Sequence, residues 1–257
     1  MDKNQPEANR SLPSHGEYLA TPLKKFSETV VLVPFFGAKK KSLRRHVEFL
    51  HELGYDCVIF ELNDNWREMY KNIFSAEMQF GLKHVWTDQI EQILNEVSGR
   101  KIIFSFSNPC ASAIEAVARR HANDITGMIC DSGPSANLRA SMVNYFTYEE
   151  PIHPYPLKAI AAALTAFSWH PQFLQTIHDD LSQFPESFRV LSIRGWKDKL
   201  ISPDMIDKVF EPHSQLEWQK LSLPQAGHLN GLKDFRDEYA PAVAKFLSEI
   251  STTIELI

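Results

Sequence analysis

Little in this sequence supports crosslinks, cofactors or membrane insertion. Only three cysteines occur among 257 residues: Cys57, Cys110 and Cys130. The odd number and the lack of CxxC spacing argue against a disulfide framework or a cysteine zinc site, and fit a reducing, cytoplasmic setting. The opening residues Met1-Asp2-Lys3-Asn4-Gln5-Pro6 are polar, so no secretory segment is expected. The longest alanine-rich apolar stretch, 159–167, is too short to cross a bilayer, so no transmembrane segment is expected either. A formal net charge of -5 offers no long-range attraction to nucleic acid or anionic lipid. The basic runs at Lys39-Lys40-Lys41 and Arg44-Arg45 read as the solvated side of one helix. There is no GxGxxG and no GxxxxGK[ST], and His46 and His51 share no helix face and form no HExxH, so neither a nucleotide cofactor nor a metal is expected.

What is present is material for a large core. Hydrophobic residues make up 44% of the chain, with seventeen phenylalanines, enough for one sizeable α/β domain with an insertion. Residues 1–26 are polar, carry Pro6, Pro13 and Pro22, and read as an extended N-terminal arm. A strand-helix alternation follows. Apolar or β-branched runs predict strands at 29–33, 57–62, 101–106, 125–130 and 188–193, and a sixth strand is expected at 216–223. Helical spacing predicts helices at 42–53, within 68–98, at 109–120 and at 239–250, with Gly54 stopping the first. Such alternation implies a mainly parallel sheet covered by helices on both faces. The exception is 138–185, which is helical and aromatic and carries Pro151, Pro154, Pro156 and Pro171. It reads as a cap inserted into a core formed by 27–137 and 186–257.

Ligands on parallel sheets bind beyond the carboxyl ends of the strands, and three polar residues fall just there. Ser107 follows the strand at 101–106 and precedes a helix opened by Pro109, which suits a first helical turn because its missing N–H breaks no bond. A helix N-terminus aimed at the serine favours negative charge developing there. Asp198 follows the strand at 188–193 in Gly195-Trp196-Lys197-Asp198, and His228 follows the strand at 216–223 in Ala226-Gly227-His228. Singly, each has an ordinary structural reading as a turn former, cap or surface residue. Together, the order serine, acid, histidine, each after a sheet strand, supplies the parts of nucleophilic acyl transfer.

On these motifs the chain, from about residue 28 onward, resembles the α/β-hydrolase superfamily. The segment Phe104-Ser105-Phe106-Ser107-Asn108, with Cys130-Asp131-Ser132-Gly133-Pro134, is also similar to a branch related to eukaryotic transmembrane protein 53, from which no function is carried over. The superfamily resemblance implies that Ser107 attacks an acyl carbon, His228 acts as general base and then acid, and Asp198 holds the imidazole in the useful tautomer. It implies an oxyanion hole from the N–H of Asn108 and one from Phe36, or Phe35 if the alignment shifts by one residue. The superfamily's G-x-S-x-G elbow reads here Ser105-Phe106-Ser107-Asn108-Pro109, with both glycines replaced. Asp131 is an alternative acid or the cap of a turn; Cys110 lies inside the helix and reads as packing.

Phe35, Phe36 and Phe106 flank the candidate site, and the insertion adds Tyr145, Phe146, Phe167 and Trp169. Of these, Phe35, Phe106, Phe146 and Trp169 are expected to line an apolar acyl or alcohol pocket. The expected activity is hydrolysis of a small-molecule carboxylic ester or thioester, lipophilic or aromatic, through an acyl-enzyme. The missing elbow glycines leave room for a catalytically weak binding protein, and the same triad could serve peptide cleavage or acyl transfer.

Overall fold

Alternate residues of the central strands face opposite layers of helices, and this parity organises the protein. The computed structural model describes residues 9–63 and 80–254. It opens with two short strands, β1 (Arg10–Ser11) and β2 (Glu17–Leu19), followed by β3 (Thr29–Val33), α1 (Arg44–Leu53) and β4 (Asp56–Ile59). Then come α2 (Leu82–Glu96), β5 (Lys101–Phe106), α3 (Cys110–Arg119) and β6 (Ile125–Asp131). Three helices follow without a strand: α4 (Leu138–Tyr148), α5 (Tyr155–Trp169) and α6 (Phe173–Leu181). The chain returns to the sheet with β7 (Arg189–Gly195), α7 (Pro203–Phe210), β8 (Glu217–Leu223), α8 (Gly231–Asp234) and α9 (Arg236–Ile250).

The strands form one eight-stranded sheet in the order β1-β2-β4-β3-β5-β6-β7-β8. The pairs from β4 through β8 are parallel, while β1 and β2 form an antiparallel hairpin on the β4 edge. All five residues of β3 are buried. Val31 and Val33 pack with Ile103 against a layer containing α2, α3, α6 and α7. Val30 and Leu32 pack with Ile102, Phe104 and Phe106 against α1 and α9. A continuous β-branched run has no polar face because both faces need cover. Each such side chain taken from water contributes about 1.5–3 kcal/mol.

The part of the 1–26 arm that is described is tied into the sheet through β1 and β2. Tyr18 in β2 donates its hydroxyl to Asp56 of β4 at 2.8 Å. Helices α7 and α8 have no counterpart in the sequence reading, and the part of the 68–98 helical expectation over 68–79 lies outside the described residues. Among the described residues no helix is long and apolar enough to cross a membrane.

Candidate active site

The carboxyl ends of β5, β6, β7 and β8 lie side by side, and the loops that leave them carry Ser107, Asp131, Asp198 and His228. Ser107 stands between β5 and α3 with φ at 58°, a left-handed conformation costly for a non-glycine residue and kept only where surroundings over-determine it. Those surroundings are visible. The Ser107 N–H donates to the Asp131 carbonyl at 2.8 Å, and the Ser107 carbonyl accepts from Cys110 N–H at 3.1 Å. Buried Asn108 accepts from Ser135 N–H at 3.0 Å and donates to the Ser141 hydroxyl of α4 at 3.2 Å, fixing the turn from two sides.

The replaced elbow glycines are accommodated differently. Ser105 is fully buried and donates its hydroxyl to the Ile129 carbonyl at 3.0 Å, so it leaves no orphaned polar atom. Pro109 adopts φ -57° and ψ -13° at the start of α3, compatible with a helix. The close approach an elbow needs is made by Gly133, after β6. A Cβ there would lie 2.2 Å from the Ser107 carbonyl oxygen, so no side chain fits. A second close approach occurs at Gly195, where a Cβ would meet the Ala226 carbonyl oxygen at 2.4 Å, which lets the acid-bearing and histidine-bearing loops touch.

His228 Nε2 lies 3.0 Å from Ser107 Oγ, and His228 Nδ1 lies 2.7 Å from Asp198 Oδ2. The Asp198 side chain is fully buried, and its other oxygen accepts N–H groups from Leu200 at 2.7 Å and Ile201 at 2.9 Å. An ionised carboxylate only accepts, so Nδ1 carries the proton and the Nε2 lone pair faces the serine hydroxyl. The three residues singled out in the sequence are therefore one hydrogen-bonded chain. Among the described residues the N–H groups of Phe36 and Asn108 have no acceptor. Phe36 sits in a turn closed by Ala38 N–H on the Phe35 carbonyl at 3.0 Å.

Ser107 and His228 open into a cleft of about 890 Å³, walled by Phe35, Phe36, Met142, Phe146, Trp169 and Leu200. The Phe36 ring lies 6.2 Å from that of Trp169. Phe106 is a correction. It is buried on the opposite face of β5, its ring stacked 5.0 Å from that of Phe104 and met edge-on by His46 at 4.6 Å, and it does not line the cleft. Strand parity explains this: Phe106 shares a face with Ile102 and Phe104, not with the turn that follows. Phe167 packs on Phe80 at 5.3 Å and is also absent from the lining. Met142 and Leu200 were not foreseen, although Leu200 follows Asp198 closely enough for its position to have been read.

Two rival residues are placed elsewhere. Burial pushes the Cys110 thiol well above its ordinary value, aided by neighbouring Cys130, so it offers no thiolate. Asp131 is buried and its carboxylate accepts the Tyr239 hydroxyl at 2.7 Å and the Ser132 hydroxyl at 2.8 Å; among the described residues it makes no hydrogen bond to His228. Among the described residues no three His, Cys, Asp or Glu side chains are placed to hold a metal ion.

No protein-family profile and no curated protein matches the chain. Solved structures do. An esterase of Pyrococcus furiosus superposes with a TM-score of 0.65 at 16% identity, covering 96% of this chain and 91% of that one. The protein has the α/β-hydrolase fold. A bromoperoxidase from Bacillus anthracis gives a TM-score of 0.60 at 14% identity, covering 94% of this chain and 100% of that one. A meta-cleavage product hydrolase from Pseudomonas fluorescens gives 0.59 at 14%, covering 95% and 98%. At these identities the likeness concerns the fold, and any activity of this α/β-hydrolase-fold protein must be argued from its own residues.

Proposed function

We propose that the protein is a serine hydrolase that cleaves neutral, lipophilic or aromatic carboxylic esters or thioesters through an acyl-enzyme. The observation that carries this reading is the Asp198–His228–Ser107 chain, at 2.7 and 3.0 Å, ending on a hydroxyl that opens into an apolar cleft. Ser107 Oγ attacks the acyl carbon while its proton passes to His228 Nε2, and Asp198 stabilises the imidazolium that forms. Charge on the carbonyl oxygen is met by the N–H groups of Asn108 and Phe36, with the N-terminus of α3 behind them. His228 then returns the proton to the leaving alcohol or thiol. Water attacks the acyl-enzyme with His228 again as base, releasing the acid and restoring the serine.

Helices α4 and α5 act as a cap, since Ser141, Met142, Phe146 and Trp169 line the cleft, while α6 packs in the layer against the sheet. The aromatic walls favour an apolar acyl or alcohol group. Glu149 and Glu150 on the same lining disfavour a carboxylate on the substrate. The test is rapid-mixing hydrolysis of p-nitrophenyl esters, one series with neutral chains and one with a terminal carboxylate. A burst of p-nitrophenol, faster turnover of the neutral series and loss of both in Ser107→Ala are expected. Folded wild-type protein that turns over neither series would overturn the proposal.

A further inference from the structure

Asp131 has a position the triad does not account for. It ends β6, paired in register with Phe106 of β5 on one side and Ile193 of β7 on the other, directly between the strands that carry the serine and the acid. Its main-chain carbonyl holds the Ser107 N–H at 2.8 Å. Its carboxylate holds two hydroxyls, Tyr239 from α9 and Ser132. The Ser132 oxygen in turn accepts the N–H of Leu229, the residue after His228, at 3.2 Å.

Ser132 has one hydroxyl proton and accepts from Leu229, so it donates to Asp131 Oδ1. Tyr239 donates to Oδ2, so an ionised Asp131 has each carboxylate oxygen met by one hydroxyl. Both Ser132, with φ at 58°, and Leu229, with φ at 55°, hold left-handed backbones that non-glycine residues keep only under tertiary constraint. The titratable groups around Asp131 are Tyr239 from α9, Cys110 from α3, Asp198 after β7 and His228 after β8. His46 of α1 meets the Tyr239 ring at 6.3 Å. Burial, with a smaller push from the Asp198 charge, holds the Asp131 carboxyl above its ordinary value, and the two hydroxyls and His228 pull it only part of the way back.

We infer that Asp131 is a positioning residue for this active site. It fixes the elbow through its main chain and the histidine loop through its carboxylate and Ser132. It also places a second negative charge near His228, adding to the stabilisation of the imidazolium. This rests on the proposed hydrolase function, and the two can fail separately.

The experiment compares wild type, Asp131→Asn, Ser132→Ala and Tyr239→Phe on one p-nitrophenyl ester across pH 5 to 9, each variant first checked by thermal melting. Ser132→Ala is expected to lower kcat about tenfold with little change in KM, the rate equivalent of one buried hydrogen bond. Asp131→Asn cannot accept both hydroxyls and has lost the charge. It is expected to lower kcat further and to move the acidic limb of kcat/KM down by about half a pH unit. Tyr239→Phe keeps the charge, so its limb stays in place. A limb that does not move in Asp131→Asn, or a wild-type kcat in Ser132→Ala, would overturn the inference. If Asp131→Asn does not fold, the Ser132→Ala result decides alone. A wild type without esterase activity defeats the hydrolase reading itself, whereas an active wild type with unchanged variants defeats only the role of Asp131.

Discussion

At the carboxyl edge of the sheet, Asp198 and His228 end on the hydroxyl of Ser107 and an open cleft. Between α2, α3 and α6 a larger set of charges closes on itself instead. Lys83, fully buried, reaches Glu115 at 2.7 Å and Asp180 at 2.6 Å; His84 reaches the other oxygen of Glu115 at 2.6 Å, and Arg119 reaches the same oxygen at 2.5 Å. Both regions contain a buried carboxylate bonded to a histidine. Burial works against ionised Glu115, yet His84, Lys83 and Arg119 together hold its carboxyl well below the usual range. A carboxylate–histidine pair is thus no sign of catalysis by itself. What distinguishes the first region is a serine hydroxyl on a left-handed turn with an open cleft beside it.

The sharpest way to break the comparison is to exchange its expectations. Ser107→Ala should lower kcat/KM by about a thousandfold or more, while changing unfolding free energy by less than about 1 kcal/mol. Lys83→Met should do the reverse. It leaves two carboxylates facing an uncharged side chain, which costs about 3–5 kcal/mol of stability, while activity per folded molecule is retained. Urea unfolding and ester hydrolysis on the same preparations measure both. A Lys83→Met protein that melts like wild type, or is folded yet inactive, would show that the two regions are not separable.

A smaller effect distinguishes the acids within the ionic cluster. Burial pushes the Asp180 carboxyl up to about 6, with Lys83 pulling it back. A folded value above the unfolded one means stability that is present below about pH 4 and lost as pH rises through about 6. Relative to Asp180→Asn, wild type should therefore lose about 2 kcal/mol between pH 4 and pH 7. Unfolding free energies of the two proteins across that interval check this, and a constant difference would contradict it.

Much of the architecture was legible because it rests on local patterns. Strands β3 to β7 carry apolar or β-branched stretches, β8 mixes Trp218, Leu221 and Leu223 with polar residues, and Ser107, Asp198 and His228 follow three of these six strands. The β1–β2 hairpin was not legible, since strands of two and three residues carry no countable alternation. Phe106 was legible and misread: the period-two parity of Ile102, Phe104 and Phe106 places it away from the serine. Gly133 lies 26 residues beyond Ser107, and only the pairing of β5 with β6 shows that it supplies the close approach missing from the elbow. The Lys83 cluster joins three helices through tertiary contacts, which no spacing within one helix announces.

The most direct measurement of the central claim is covalent labelling of the intact protein by a fluorophosphonate, followed by mass spectrometry of its peptides. The expected result is one adduct, on Ser107, abolished in Ser107→Ala and strongly slowed in His228→Ala. Folded wild-type protein that acquires no adduct, or acquires it on another residue, would contradict it.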